Sequence, residues 1–211
     1  MAVWAEWLEP RRETLADRLV VGSRSTAWRG AALVVGGATL TALMAQLAIH
    51  LPFTPVPLTG QTFAVLVTGA ALGWRRGLLA QLLYVLVGFL GLPVFAGATG
   101  GLSQLLGASG GYLIGFIAAA TLLGWLAEAG WDRGRRVVGA MLLGEAAIYL
   151  LGVGWLALYL HSVGEAFLLG FVPFIVGDAI KLAAAAGLLP LAWRLLGKRP
   201  SGSGQSEAPS A

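Results

Sequence analysis

Six stretches of the chain are almost continuously apolar, at about residues 27–49, 56–74, 77–92, 110–129, 137–160 and 173–196. A helix needs about 20 such residues to cross the hydrocarbon of a bilayer. The pattern predicts an all-α polytopic membrane protein, a bundle of six transmembrane helices. The second and third stretches are short and could form one re-entrant hairpin instead. Arg75 and Arg76, which lie between them, decide against it. A hairpin tip would hold both arginines in lipid, at about 2.5–3.5 kcal/mol each. Two full crossings put them in water.

The polar intervals orient the bundle. Basic residues fall in the N-terminal arm (Arg11, Arg12, Arg18, Arg24, Arg29) and in the second loop (Arg75, Arg76). They recur in the fourth loop (Arg133, Arg135, Arg136) and at the C-terminal end (Arg194, Lys198, Arg199). The first, third and fifth loops carry no Lys or Arg. Thirteen of the 14 basic residues therefore lie on one side, which the positive-inside rule makes cytoplasmic, together with both termini. Residues 1–26 read as a cytoplasmic arm, either a surface helix anchored by Trp4, Trp7 and Leu8 or a loose segment. Residues 27–197 form the membrane domain, and the linker-like stretch 198–211 is expected to be disordered. The acidic residues of the first 26 positions and the length of the first apolar run argue against a cleaved signal peptide.

Composition sharpens this picture. Hydrophobic residues make up 57% of the 211 positions and charged residues 11%, against roughly 25% charged in a soluble domain. Mean hydropathy is +0.79. Too few charges remain to coat a water-facing surface, so lipid is the expected surroundings. The 31 glycines suit close helix packing. There is no cysteine, which excludes disulfides and thiolate metal sites. The net charge of +4 sits in short loops, not on one face, and does not suggest nucleic acid.

The candidate chemistry lies inside the spans. Lys181, the fourteenth basic residue, stands within the sixth span, three positions after Asp178. That spacing places both on one helix face. With Pro173 in the first turn of the helix, the pair would sit about two turns, roughly 10 Å, below the outer surface. Ionisable residues inside a membrane are costly and usually functional. A carboxylate beside an ammonium suits a neutral polar ligand, or one with its own carboxylate. Glu145 is buried in the fifth span, with Tyr149 at i+4 as its expected hydrogen-bond partner. The outer loops HLPFTPVPLTGQ (50–61) and GLPVFAGATGGLSQLLGASGG (91–111) are rich in Pro and Gly and could fold over the mouth of the bundle. His50 and His161 lie in separate outer loops without a third metal ligand. No phosphate-binding Gly-Lys-Ser/Thr loop and no His-Glu-x-x-His occurs.

The segments FTPVPLTGQT (53–62), LGWRRGLLAQLLYVLVGFLGLPVFAG (72–97), LLGASGGYLIGF (105–116), YLLGVGWLAL (149–158) and GFVPFIVGDAIK (170–181) resemble the BioY family. These are the biotin-binding substrate-capture subunits of energy-coupling factor transporters. The likeness covers roughly residues 30–195, and its most specific part is Pro-Phe followed by Gly-Asp and then Lys181. It implies a six-helix bundle with a substrate pocket near the outer face, closed by the first and third loops. It implies biotin as ligand, bound by Asp178 and Lys181, with Gln61, Thr99 and Tyr112 at matching loop positions. It implies no cofactor and no enzymatic activity. As partners it implies a transmembrane coupling subunit and ABC-type ATPases, in the plasma membrane of a prokaryote. The chain departs from the family pattern at Thr99, Ala108-Ser109 and Leu113, which puts contacts from the loop side chains in question. A small-residue face of the first span, with Ala31, Ala38, Ala42 and Ala45, either docks the coupling subunit or packs within the chain. Two other readings compete: capture of another vitamin such as riboflavin or thiamin, and an enzyme using Asp178 as acid or base. The latter finds no nucleophile, metal cluster or phosphate cradle beside that aspartate.

Overall fold

The computed structural model describes residues 13–19 and 26–197. The expected surface anchors Trp4, Trp7 and Leu8 and the tail 198–211 lie outside them. Six helices of 12 residues or more occupy the six apolar stretches: α2 (Thr26–Ala45), α3 (Gln61–Leu72), α4 (Trp74–Phe89), α6 (Gly110–Glu128), α7 (Arg136–Leu160) and α9 (Ile175–Gly197). Three shorter helices accompany them: α1 (Leu15–Leu19), α5 (Leu102–Leu106) and α8 (Val163–Gly170). Four helical stretches are long and apolar enough to cross a membrane: Trp28–Ala45, Gly110–Trp131, Arg136–Leu160 and Val163–Leu196. Helix α3, with 12 residues, is shorter than a span but runs through the middle of the bundle.

The expectation of an all-helical chain needs one local correction. The first loop holds a two-stranded antiparallel ribbon, β1 (Ala48–Ile49) with β2 (Leu58–Thr59). The prolines at 52, 55 and 57 fall in the connection between the strands, where no ladder N–H is required. Pro173 also differs from expectation. It lies in a 3-10 turn, Val172–Phe174, that precedes α9. Asp178 therefore sits in the first turn of α9, at its N-terminal end, and not two turns deep.

Helix α6 is the centre of the packing and touches α3, α4 and α7. Glycine permits the closest approaches. A Cβ on Gly69 would stand 2.7 Å from the Cα of Ala120, and one on Gly77 would stand 3.1 Å from the Ala120 carbonyl. Gly73 turns the chain from α3 into α4 at φ 81°, a conformation that side chains rarely tolerate. The turn is closed by Glu128, whose carboxylate accepts from the Trp74 N–H at 3.0 Å. A polar knot joins three helices in the apolar interior. Gln81 of α4 donates to the hydroxyls of Thr41 (3.0 Å) on α2 and Thr68 (3.1 Å) on α3. Each threonine passes its own proton to a carbonyl one turn earlier in its helix, Gly37 and Ala64. Interhelical hydrogen bonds of this kind hold helices together where lipid offers no hydrophobic drive.

Of the alanine face of α2, Ala38, Ala42 and Ala45 turn inward and Ala31 is exposed. Ala38 and Ala45 are buried, and Ala38 belongs to the main core cluster with Ala42 packed against it. The inward part of that face is an intramolecular contact. The small residues that α2 exposes are Ala31, Ala32, Gly36 and Thr39.

The basic ends of the helices converge. Arg76 pairs with Asp17 of α1 at 2.7 Å, and α1 buries Leu15 and Ala16 against the bundle. Thr14 and Asp17 form a reciprocal cap, with the Thr14 hydroxyl donating to Asp17 at 2.7 Å and the Asp17 N–H donating back at 3.3 Å. Burial opposes the charge of Asp17, but the bonds from Thr14 and Arg76 prevail and hold its carboxyl below its usual range. Nearby, Arg133 lies over the Trp193 ring at 3.6 Å, and Trp193 donates to Asp132 at 2.6 Å.

Because the Gly69–Ala120 crossing has no slack, Gly69→Val forces α3 from α6. Overpacking should cost about 1–3 kcal/mol, read as a lowered midpoint of thermal unfolding in detergent. The same change at Gly36, whose Cβ would meet nothing within 4 Å, should leave the midpoint nearly unchanged.

Candidate functional site

At the end of the bundle opposite the arginines, the two Gly/Pro-rich loops, the ends of α3, α6 and α9 and the middle of α7 enclose a cavity of about 180 Å³. All five side chains expected to form a site line it: Asp178, Lys181, Gln61, Thr99 and Tyr112. They have different surroundings. The Asp178 carboxylate takes the Lys181 ammonium at 2.6 Å and the Thr62 hydroxyl at 3.2 Å on Oδ1. Its Oδ2 accepts from the Tyr149 hydroxyl. Asp178 is 4% exposed. Four features face the buried carboxylate: a cation, two hydroxyl donors and the N-terminal end of a helix. Lys181 also donates to the Thr62 oxygen at 3.1 Å, which leaves one of its three N–H groups for the cavity.

Gln61, Tyr112 and Thr99 spend their polar atoms on the walls. Gln61 donates to the Tyr84 hydroxyl at 2.6 Å and accepts from Thr59 at 2.8 Å. Tyr84 in turn donates to the Val94 carbonyl of the third loop at 3.2 Å. Tyr112 donates to the Gly170 carbonyl at 2.6 Å, and Thr99 to the Ala96 carbonyl at 2.9 Å. The rest of the lining is largely apolar, with Val56, Phe95, Leu113, Phe116, Ile148 and Phe174.

Both loops are fastened over this space. Thr54 of the first loop donates to the Leu169 carbonyl at 2.7 Å. Gln46 at the end of α2 accepts from the Ala98 N–H at 3.0 Å and donates to the Phe95 carbonyl at 3.3 Å. Trp155 of α7 donates to the Gly107 carbonyl at 2.9 Å. The helix α5 and the Phe95–Thr99 bridge give the third loop internal structure.

Sequence reasoning missed Thr62, Tyr149, His50, Gln104 and Ser109, all of which line the cavity. Tyr149 was expected to serve Glu145, four residues before it on α7; its proton goes to Asp178 instead. The signal for Thr62 was its place beside Gln61 at the start of an apolar helix, but a hydroxyl there is common and points to no partner by itself. His50 was expected at the interface; it lines the cavity beside Gly97, while His161 caps α7 in the left-handed conformation, away from it. Among the described residues no group of three His, Asp or Glu is placed to hold a metal ion.

A buried ion pair at the mouth of an apolar helical bundle, under two closed loops, defines a membrane protein that encloses a small polar-and-apolar solute. The chain belongs to the BioY family, whose model matches residues 17–198. It is 42% identical over 146 residues to the probable biotin transporter BioY of Pyrococcus horikoshii, covering 69% of this chain and 85% of that one. It is 44% identical over 142 residues to the biotin transporter BioY of Thermotoga maritima, covering 65% and 81%. In fold it is similar to the crystal structure of the S-component for biotin from an ECF-type ABC transporter. The TM-score is 0.68 at 23% identity, over 82% of this chain and 95% of that one.

The pair itself can be tested without any ligand. Lys181→Met leaves Asp178 with two hydroxyl donors and no cation. Unfolding stability should fall by about 3 kcal/mol, the lower end for a broken buried pair. Removing both charges with Asp178→Leu and Lys181→Met together should restore most of it, a non-additive result read from a double-mutant cycle.

Proposed function

We propose that this protein captures biotin at the outer face of the membrane, as the substrate-specific subunit of an energy-coupling factor transporter. The observation that carries the reading is the Asp178–Lys181 pair inside the loop-covered cavity, in a chain whose relatives are named biotin transporters. Biotin has a ureido ring with two N–H donors and one carbonyl, an apolar sulfur ring, and an aliphatic tail with a carboxylate. Asp178 accepts a ureido N–H with its remaining acceptor capacity. The free N–H of Lys181 serves the carbonyl or the carboxylate. Phe95, Phe116 and Phe174 supply apolar walls for the ring and tail. Gln61, Tyr112 and Thr99 act chiefly by holding the walls and the loops in place, because their polar groups are already engaged.

In this reading α2, α3, α4, α6, α7 and α9 all cross the membrane. The short helix α3 is supported as a crossing by its ends: Gln61 lies in the cavity and Gly73 at the arginine end. Both termini are cytoplasmic by the distribution of Lys and Arg, in the plasma membrane of a prokaryote. The chain carries no nucleotide-binding motif, so accumulation against a gradient calls for ATPases and a transmembrane coupling subunit. Neither cofactor nor enzymatic step enters.

Labelled biotin should bind saturably to the purified full-length protein in detergent, and riboflavin or thiamin should not displace it. Asp178→Ala and Lys181→Ala should each weaken binding by about 2–5 kcal/mol, since each strands a charge in the site. A folded sample without saturable binding, or near-normal affinity in both variants, removes biotin or the pair from the account.

A further inference from the structure

A second concavity lies on the lipid-facing side, between α7, α8 and α9. It is lined by apolar side chains such as Leu142, Leu150, Val153 and Ile175, together with Glu145, Tyr149 and Asp178. Tyr149 and Asp178 also line the biotin cavity. These two residues, joined by a phenol–carboxylate hydrogen bond, are common to both spaces. Glu145 lines the groove, one helical turn from Tyr149 and on the same face of α7. It is 8% exposed, and among the described residues neither carboxyl oxygen has a hydrogen-bond donor.

Among the described residues, the one cation near Glu145 is already engaged. From α9 come Asp178 and Lys181, already paired with each other. Its own helix contributes Tyr149, whose proton is given to Asp178. Tyr112 of α6 is bonded to Gly170. Helix α3 contains no ionisable residue, and α8 has only the exposed Glu165. The Asp178–Lys181 pair is neutral as it stands. An ionised Glu145 would add a second negative charge, without a hydrogen-bond donor, in the buried space beside Asp178.

We propose that Glu145 is a proton-binding site that opens to the lipid through this groove, is occupied at neutral pH, and is coupled to the solute cavity across Tyr149 and Asp178. With the proton present, the three groups sum to zero charge, and Lys181 is free to face the cavity. Loss of the proton sets a second carboxylate beside Asp178, which competes for Lys181 and repels an anionic ligand. The coupling half rests on the biotin reading; the proton site does not.

The test uses the full-length protein in liposomes and dicyclohexylcarbodiimide, an apolar reagent that modifies protonated carboxyl groups within membranes. Mass spectrometry should find the adduct at Glu145 at neutral pH, diminished at alkaline pH. In parallel, Glu145→Gln, a neutral isostere, should bind biotin within about twofold of the natural chain at neutral pH. The natural chain should lose about tenfold in affinity at alkaline pH, and Glu145→Gln should not. An unmodified Glu145 at neutral pH overturns the proton site. A loss of about tenfold in Glu145→Gln at neutral pH, or the same pH profile in both proteins, overturns the coupling. Absence of biotin binding in every protein defeats the biotin reading instead and leaves the adduct to decide the proton site.

Discussion

The structure depends on one ion pair held out of water. Asp178 and Lys181 sit three residues apart at the start of α9, at a depth where a lone charge is costly. The fold meets that cost locally, with Thr62 brought from α3, Tyr149 from α7 and the amino end of α9 beneath the carboxylate. Three helices therefore converge on one carboxylate, and their packing fixes the shape of the cavity around it. A pair of this kind contributes little net stability, since apolar residues of similar volume would serve the fold as well. Its retention at the mouth of a cavity is better explained by what enters there.

Much of this was legible in the sequence, for physical reasons. Long apolar runs in a charge-poor chain leave few alternatives to a helical membrane bundle, and the six runs map onto α2, α3, α4, α6, α7 and α9. The i, i+3 spacing of Asp178 and Lys181 made their pairing a property of one helix. What could not be read depended on contacts between distant segments. Thr62 and Asp178 are 116 positions apart, and nothing local marks that hydroxyl as a partner. Tyr149 pointed by spacing to Glu145 but donates to Asp178 on another helix. The alanine face of α2 looked the same whether it served a partner or the chain itself. Only packing distinguishes the two, and it turned Ala38 and Ala45 inward. The 3-10 turn at Val172–Phe174 moved the pair nearer the helix end, because a proline in a first turn is compatible with either geometry.

The loops over the cavity show a division of labour among polar side chains. Gln61, Tyr84, Tyr112, Thr99, Gln46 and Trp155 all direct hydrogen bonds to loop or helix-end backbone, or to one another. These bonds satisfy carbonyls that Pro- and Gly-rich segments cannot pair in regular structure. They also tie the lid to four helices, so opening the mouth must break several of them together. The charged groups are excluded from that network and remain directed at Asp178. The loop fastenings and the ion pair are thus built from separate sets of residues.

The same separation bears on how a solute could be held without being trapped. A ligand entering beside Asp178 meets an acceptor already shared among Lys181, Thr62 and Tyr149. It must take a place in that arrangement, and in leaving it returns the donors to one another. No bare charge is created at either step, so neither binding nor release has to cross the desolvation cost of an isolated ion. An unpaired carboxylate or ammonium in the same position would leave a buried charge without a partner each time the site emptied. A neutral pair with spare hydrogen-bonding capacity is the arrangement that lets a membrane cavity be selective when full and stable when empty.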